Sequence, residues 1–485
     1  MKERQKERLM VAMIVASQVS PSFMFSGVAV AVPSMGEELG LGATALGLVE
    51  TLFLAGSVAF LLPLGRLADA TNRARLYKLG LLAFGLSSGL IGVLSDALPI
   101  LCLRLFQGIC SALLSATGAA LLADLVPAER RGRAYGASIG AIYVGLSLGP
   151  VVAGVLVDAW AWRAVFSFGG ALLLVMYAVV ELGLPSRWRR PQPGAIHLPS
   201  AALVLAAVLA LVFGTASMAR PALGCALLAA GVIVAVVFVL LQRRLSNPLL
   251  DVHALARRHV MRDALIIQLL LYMSAFCSVF MLSIFLQTCQ GRGAQTSGLM
   301  LAISAVLMAV VAPVAGTLAD RVRPRVLTCL GVALVTLASF QGCLLDMDAS
   351  LGEVAGILVC QGLGFGLFSS PNMTVIMNSV ERHELSSASA LSAKARGLGM
   401  ISGMLVTGLL ISLRYGGEAI AAAPERFVGI QVVSFVVLAA LNSAGLILGL
   451  LGLRHGGVDE GGAGDGGASD ADAGDGEAGE LSRPR

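Results

Sequence analysis

The sequence predicts an all-α polytopic membrane protein: two six-helix bundles with two further helices inserted between them, fourteen spans in all. Three observations lead there. The 485 residues are 57% hydrophobic and only 13% charged, with a mean hydropathy of +0.86, whereas a soluble chain carries about 25% charged residues. Apolar runs repeatedly reach the ~20 residues a helix needs to cross a ~30 Å hydrocarbon core. Short motifs also recur in one order at an offset of 251–254 residues: Gly65-x-Leu67-Ala68-Asp69 as Gly316-x-Leu318-Ala319-Asp320, Gln107-Gly108 as Gln361-Gly362, Glu129-Arg130 as Glu381-Arg382, and Gly145-x-x-x-Gly149 as Gly399-x-x-x-Gly403. Four features at nearly one spacing mark a duplication.

Residues 1–8 (MKERQKER) read as a polar cytoplasmic N-terminus. The apolar run that follows is too long for a signal-peptide core and lacks a small-residue cleavage site, so it reads as a retained first helix. Spans near 9–33, 43–65, 77–95, 98–123, 134–157 and 164–183 make the N-terminal bundle, 9–183. The linker 184–262 has room for two extra helices near 198–218 and 222–242. Spans near 263–287, 296–318, 325–345, 353–377, 387–413 and 428–453 make the C-terminal bundle, 263–453. The segment 454–485 is Gly, Asp, Ala and Glu with few large apolar residues, the composition of a disordered, acidic, Gly-rich cytoplasmic tail.

Charge fixes the expected orientation. The formal charge is +5, but the chain after His455 holds eight acids against two bases, so the body before it carries +11. Lys and Arg crowd alternate connections (KERQKER, RLADATNRARLYK, ERRGR, RWRR, QRR with ARRHVMR, DRVRPR), and the others hold only Arg163, Arg220, Arg292, Arg414 and Arg426. The basic side faces the cytoplasm, which places both termini inside and the chain in the cell's inner membrane. The excess is a partner for anionic lipid rather than nucleic acid. Eight scattered cysteines without a C-x-x-C, and five histidines confined to polar connections, offer no metal or nucleophile constellation. No G-x-x-x-x-G-K-[ST] phosphate loop is present, which disfavours ATP-driven transport. The expectation is a non-enzyme with no cofactor, acting as a monomer.

Three motifs carry mechanism. In Gly65-Arg66-Leu67-Ala68-Asp69-Ala70-Thr71-Asn72-Arg73-Ala74-Arg75, Gly65 permits close helix approach and Asp69 suits the positive N-terminus of a neighbouring helix. Arg73 and Arg75 then have carboxylates and helix-end carbonyls to hold. Gly65, Leu67, Asp69 and Arg73, with Gly316, Asp320 and Arg321 in the second copy, are the candidate gate. The fourth span carries Leu101-Cys102-Leu103-Arg104-Leu105-Phe106-Gln107-Gly108. The fifth carries Gly145-x-x-x-Gly149-Pro150-x-x-Ala153-Gly154, a smooth stripe bent by Pro150 on which helices can pivot.

In combination these resemble the major facilitator superfamily: the inner-loop pattern G-x-L-a-D-r-x-G-r-k, with Asn72 in place of its second glycine, the l-x-x-x-R-x-x-q-G pattern, and the g-x-x-x-G-P-x-x-G-G pattern that marks exporters. Trp162-Arg163-x-x-Phe166 is similar to the W-R-x-x-F of the fourteen-helix drug:proton antiporter branch. The resemblance spans about residues 9–453. It implies the superfamily's fold and rocker-switch alternating access, with proton antiport and drug or multidrug efflux, an antibiotic-resistance activity; it is silent on the cargo. One departure stands out. Where that branch has D-x-T-x-x-N-x-A-L-P in its first helix, this chain has Met24 in place of the acid and Ala29 in place of the asparagine, so that proton or cation site does not carry over.

The charges deep in spans are then informative, because an ionisable group in hydrocarbon costs roughly 2.5 kcal/mol upward. Glu50 and Arg104 each lie seven or so residues inside their spans, about 10 Å below the outer boundary at ~1.5 Å per residue. Equal depth and opposite sign make them the candidate proton-coupling pair: Glu50 loads and releases a proton, Arg104 holding it charged in one conformation and parting from it in another. The other reading is a static pair that orients helices, or a Glu50 facing an aqueous vestibule. Glu181, Asp263, Lys394 and Arg396 fall near inner boundaries, as interfacial or gating charges. Cargo-cavity candidates are Gln18, Ser22 and Ser26 at i, i+4, i+8, Gln268, Tyr272 and Phe276 at the same spacing, Gln107, and Asn372 beside Pro371. With no deep acid in the second bundle, a neutral or amphipathic small molecule is favoured over a strictly cationic one. The alternative is a proton-linked or facilitative importer of a small organic metabolite, which would use the same fold.

Overall fold

The computed structural model describes residues 3–126, 131–184, 198–244, 258–319, 321–380 and 385–459, and no strand occurs among them. The first seven helices are α1 (Glu3–Ser17), α2 (Val19–Leu39), α3 (Ala43–Ala70), α4 (Arg73–Ile91), α5 (Ala97–Leu125), α6 (Arg131–Trp160) and α7 (Arg163–Gly183). The pair α8 (Leu198–Ala216) and α9 (Pro221–Arg244) follows. The remainder are α10 (His259–Ile284), α11 (Ala294–Leu318), α12 (Pro324–Gly342), α13 (Leu351–Asn378), α14 (Leu385–Tyr415) and α15 (Pro424–Asp459). A π-helical turn, Phe285–Cys289, extends α10.

Among the described residues thirteen spans are long and apolar enough to cross a membrane, α1 and α2 counting as one, Arg8–Leu39. The remaining long helix, α4, fits as a fourteenth. Its 19 residues reach about 28 Å, but Arg73, Arg75 and Lys78 lower its mean apolarity. It begins four residues before the expected 77 because the Asn72 side chain accepts the Arg75 backbone N–H at 3.1 Å and caps the first turn. Asn72 thus has a local task at the position where the superfamily pattern has glycine. Other ends are equally local. Gly40 closes α2 in the left-handed region at φ 60°, which glycine enters freely. Ser350 and Glu353 open α13 with a reciprocal capping box.

The helices pack as two sets. In the N-terminal set α3 lies along α5, α2 along α6, and α4 between α5 and α7. In the C-terminal set α11 lies along α13, α10 along α14, and α12 between α13 and α15. The duplication is visible in how glycines seat on backbone. Gly108 faces the Phe53 carbonyl and Gly362 the Ser304 carbonyl, while Gly145 faces that of Val19 and Gly399 that of Leu269. Between the sets, α6 packs on α11 and α3 on α14. Helix α8 sits in the α3–α14 groove with α9 outside it, and a buried Gln242–Ser200 hydrogen bond of 2.9 Å joins that pair.

Helix α15 continues to Asp459, past the expected boundary at 453. The segments 185–197, 245–257 and 460–485, which include most of the expected linker loops and tail, lie outside the described residues.

Candidate functional site

The charged pair is built by three helices of the N-terminal set. Arg104 on α5 is fully buried and Glu50 on α3 is 5% exposed. The guanidinium spends each nitrogen on a different acceptor. Nε donates to the Val49 carbonyl at 2.9 Å, one terminal nitrogen to Gln107 Oε1 at 3.0 Å, and the other to Glu50 Oε2 at 3.3 Å. Gln107 passes the chain on, donating from Nε2 to Ser88 Oγ of α4 at 2.9 Å. The Phe53 ring stacks under the guanidinium at 4.7 Å, a cation–π contact in a dry setting. The second carboxylate oxygen, Glu50 Oε1, is buried without a hydrogen-bond partner. Such an orphaned acceptor inside a protein costs roughly 1–3 kcal/mol, and it is an empty acceptor for a proton.

The gate motif lies where α3 passes into α4. Gly65 looks across to the Ala116 methyl and Gly316, its copy, to Ser370, equivalent helix-to-helix approaches in the two sets. Arg73 pairs with Asp124 of α5 at 2.6 Å. Leu67 and Arg66 are half-buried and Arg321 is exposed. The Asp69 side chain and residue Asp320 lie outside the described parts.

The α6 motif divides its work between two seams. A Cβ at Gly149 would stand 2.0 Å from Ser26 Oγ and one at Gly145 2.7 Å from the Ser22 Cβ, so these glycines seat α6 on α2 within one set. Gly154 instead meets the Ala294 carbonyl of α11, and Gly298 of α11 meets the Pro150 carbonyl. Pro150 and Gly154 therefore face the other set. Beside them Asp158, at the end of α6, accepts the Ala294 and Gln295 N–H groups at 3.0 and 2.9 Å. It caps α11, whose own N-cap residue, Gly293, supplies no side chain. A carboxylate at a helix N-terminus is favoured by the orphan donors and the macrodipole.

This end of the molecule, opposite the termini, is where further bonds latch the sets. Ser283 Oγ donates to the Ala29 carbonyl at 2.7 Å and Gln287 Nε2 to that of Val30 at 3.1 Å. Thr44 Oγ1 donates to the Gly416 carbonyl at 2.5 Å, and the Ala43 N–H to that of Glu418 at 2.8 Å. Trp162 and Arg163 both hold Glu38, and the Trp162 ring meets Phe166 edge-on at 5.9 Å. That cluster fixes α7 to α2 within the N-terminal set.

At mid-height the sets face each other through aromatic and polar side chains. Phe25 of α2 meets Phe276 of α10 with ring centroids 4.9 Å apart, and Tyr143 of α6 donates to Ser369 of α13 at 3.3 Å. Tyr272 abuts Phe365 edge-on at 4.7 Å. Gln268 and Ser392 exchange hydrogen bonds, and Arg396 donates to Ser392 Oγ at 3.2 Å. Of the candidates on α10, Phe276 meets the other set through Phe25, while Gln268 and Tyr272 hold Ser392 and Phe365 of their own set. Ser22 and Ser26 are elsewhere, bonded back to their own helix on the α6 seam. Gln18 lies at the α1–α2 joint against Gly118, Gln107 belongs to the Arg104 network, and Asn372 donates to the Ala264 carbonyl at 3.3 Å. Sequence reasoning passed over Tyr143, Ser369 and Asp158, whose partners are on other helices.

Comparison with known proteins agrees with this architecture. The sequence pattern of the Major Facilitator Superfamily matches residues 14–404 and 264–460. The uncharacterized transporter YebQ of Escherichia coli is 30% identical over 388 residues, 79% of this chain and 84% of that protein. The multidrug resistance protein Stp of Mycobacterium tuberculosis is 27% identical over 79% of this chain and 72% of its own length. The multidrug efflux pump LfrA of Mycolicibacterium smegmatis is 25% identical over 80% of this chain and 77% of its own. Among solved structures, a bacterial homologue of the human lysosomal transporter Spinster, inward-facing and unoccupied, superposes with a TM-score of 0.64 at 14% identity, covering 92% of this chain and 98% of that one. Tetrameric PepTSo2 gives 0.66 at 15% identity, covering 93% and 99%.

Proposed function

This chain belongs to the major facilitator superfamily, a transporter and not an enzyme, and from that premise we propose that it is a proton-coupled exporter of small amphipathic compounds, a drug-efflux antiporter of the bacterial inner membrane. The carrying observation is Glu50: an acid sealed inside the N-terminal set, one oxygen held by Arg104 and the other without a partner. Protonation at Oε1 would remove the negative charge that Arg104 answers, leaving the guanidinium only its Val49 and Gln107 acceptors. A conformational change follows protonation only where the two arrangements of the sets differ in how they accommodate it, and α3, which carries Glu50 and packs on α14 of the other set, is the element through which that difference would act. The named efflux relatives and the exporter-type α6 motif support the outward direction.

On this reading the residues of 9–183 and 263–453 rock as units, the basic connections and both termini facing the cytoplasm. The latched end is then the outer gate, closed, and Gly65, Leu67, Asp69 and Arg73 with Gly316, Asp320 and Arg321 serve the inner gate. The cavity lies between the sets at the level of Gln268, Tyr272 and Phe276. The test is Glu50→Gln in inside-out vesicles with an imposed pH gradient. Acid-driven dye uptake should be lost while downhill exchange persists; full coupling in that variant would overturn the assignment.

A further inference from the structure

The exporter reading leaves the charge of the cargo open, and the space between the sets carries an observation about it. Arg396 lies five residues inside the apolar span Leu391–Tyr415, about 8 Å along the helix, and is half-buried. Among the described residues its protein acceptor is the Ser392 hydroxyl alone, and no carboxylate pairs with it. Ser392 is in turn occupied by Gln268. The acid best placed to neutralise a cavity cation, Glu50, is already held by Arg104 inside the N-terminal set. Arg396 therefore presents a guanidinium fork without an anion, at a depth where an isolated cation is expensive.

Its surroundings are those of a binding site for an aromatic anion. Ser392, which Arg396 holds, is bonded to Gln268, and Tyr272 lies one turn beyond Gln268 on the same face of α10, while Tyr143 of the opposite set donates to Ser369. Tyr272 also offers the ring that abuts Phe365, with Phe276 and Phe25 above it. A planar cargo would find ring faces and edges for its body, and a carboxylate would match the bidentate guanidinium geometry.

We infer that Arg396 anchors the acidic group of the cargo, and that the protein selects aromatic organic anions over organic cations of similar size. The inference rests on the exporter reading for the place of the cavity, but not for its charge preference, so binding and transport are measured apart. Binding of carboxyfluorescein, an aromatic carboxylate, and of ethidium, an aromatic cation, is followed by fluorescence anisotropy on the purified full-length protein. The wild type should hold carboxyfluorescein at least tenfold more tightly. Arg396→Gln should weaken it about ten- to a hundredfold, the range for a lost charge-assisted hydrogen bond, with ethidium binding unchanged or improved. Arg396→Lys keeps the charge without the fork and should fall between. A thermal melt of each variant separates loss of the site from loss of the fold.

Tighter binding of ethidium than carboxyfluorescein by the wild type overturns the inference. So does absence of carboxyfluorescein binding, or a Gln variant that changes both dyes alike. In inside-out vesicles, exchange of one anion for one proton carries net charge, so clamping the potential with valinomycin and potassium should change carboxyfluorescein flux. Binding that follows Arg396 without acid-driven flux would sink the exporter reading alone. Acid-driven ethidium flux indifferent to Arg396 would sink this inference alone.

Discussion

The two seams of α6 make opposite predictions for the same substitution. At Gly298 an added Cβ would stand 2.1 Å from the Pro150 carbonyl oxygen and 3.0 Å from its carbon. Relief takes about 1 Å of separation, judged against the 3.5–4.0 Å optimum for carbon contacts. Backbone cannot swing aside as a side-chain tip can, so the cost falls in the 1–3 kcal/mol range of overpacking. It is charged only while α6 and α11 touch. Gly298→Ala should therefore penalise the conformer with this end closed and shift the closed-to-open ratio about 5- to 150-fold toward open. Gly149→Ala clashes just as closely, with Ser26, the Gly27 nitrogen and the Phe23 carbonyl, but those belong to α2 in the same set. Its cost appears in both conformers and should lower thermal stability without moving the ratio. Nitroxide labels at Ala159 and Arg292, both exposed at this end, would report the separation by pulsed electron resonance, with exposed Cys102 and Cys225 replaced by serine. The reasoning is refuted by an unchanged distance distribution in Gly298→Ala, or by equal shifts in both variants.

Two further outcomes follow from the same geometry. Asp158→Asn removes the charge that caps α11 across the seam; because Asp158 is solvent-exposed, the effect should be modest, about two- to fivefold toward open, and should fade in 1 M NaCl, read with the same labels. Arg104→Gln should destabilise the fold by about 3–5 kcal/mol by stranding Glu50 as an uncompensated buried charge, whereas the double variant with Glu50→Gln should recover much of that loss in a thermal melt; equal melts for single and double variants would show that the pair is not coupled.

Legibility varied with how local each feature is. The duplication and the apolar runs carry the architecture because they are properties of the chain itself. Helix α4 was legible as a span near 77–95, but Arg73 and Arg75 hid its first turn, whose start is set by the Asn72 cap. Glu50 and Arg104 could be paired in advance because equal depth in two spans that enter from the same side is a one-dimensional fact. The Ser22–Ser26 stripe was harder: i, i+4 spacing says that residues share a face, not which neighbour covers it, and here α6 does. Asp158 was invisible for the plainest reason, since its partners, the Ala294 and Gln295 N–H groups, are backbone groups 136 and 137 residues away.

The placing of the two charges also bears on how coupling could work without contact between proton and cargo. Glu50 is on α3 and Arg396 on α14, and these helices are neighbours across the seam between the sets. Glu50 is turned inward to α5, Arg396 toward the α10–α13 side, so direct competition for one site does not arise. The Glu50–Arg104 pair lies within one set, so its charge state reaches the coordinate between the sets only through α3, which packs on α14 across the seam, whereas a bound anion would tie α14 to whatever α6 and α2 present. Linkage requires the effect to be mutual, so a cargo that favours one arrangement of the sets must change proton affinity by the same factor that protonation changes cargo affinity. A coupling of this kind predicts that carboxyfluorescein affinity depends on pH in the wild type and loses that dependence in Glu50→Gln, while direct competition at Arg396 would leave the dependence intact.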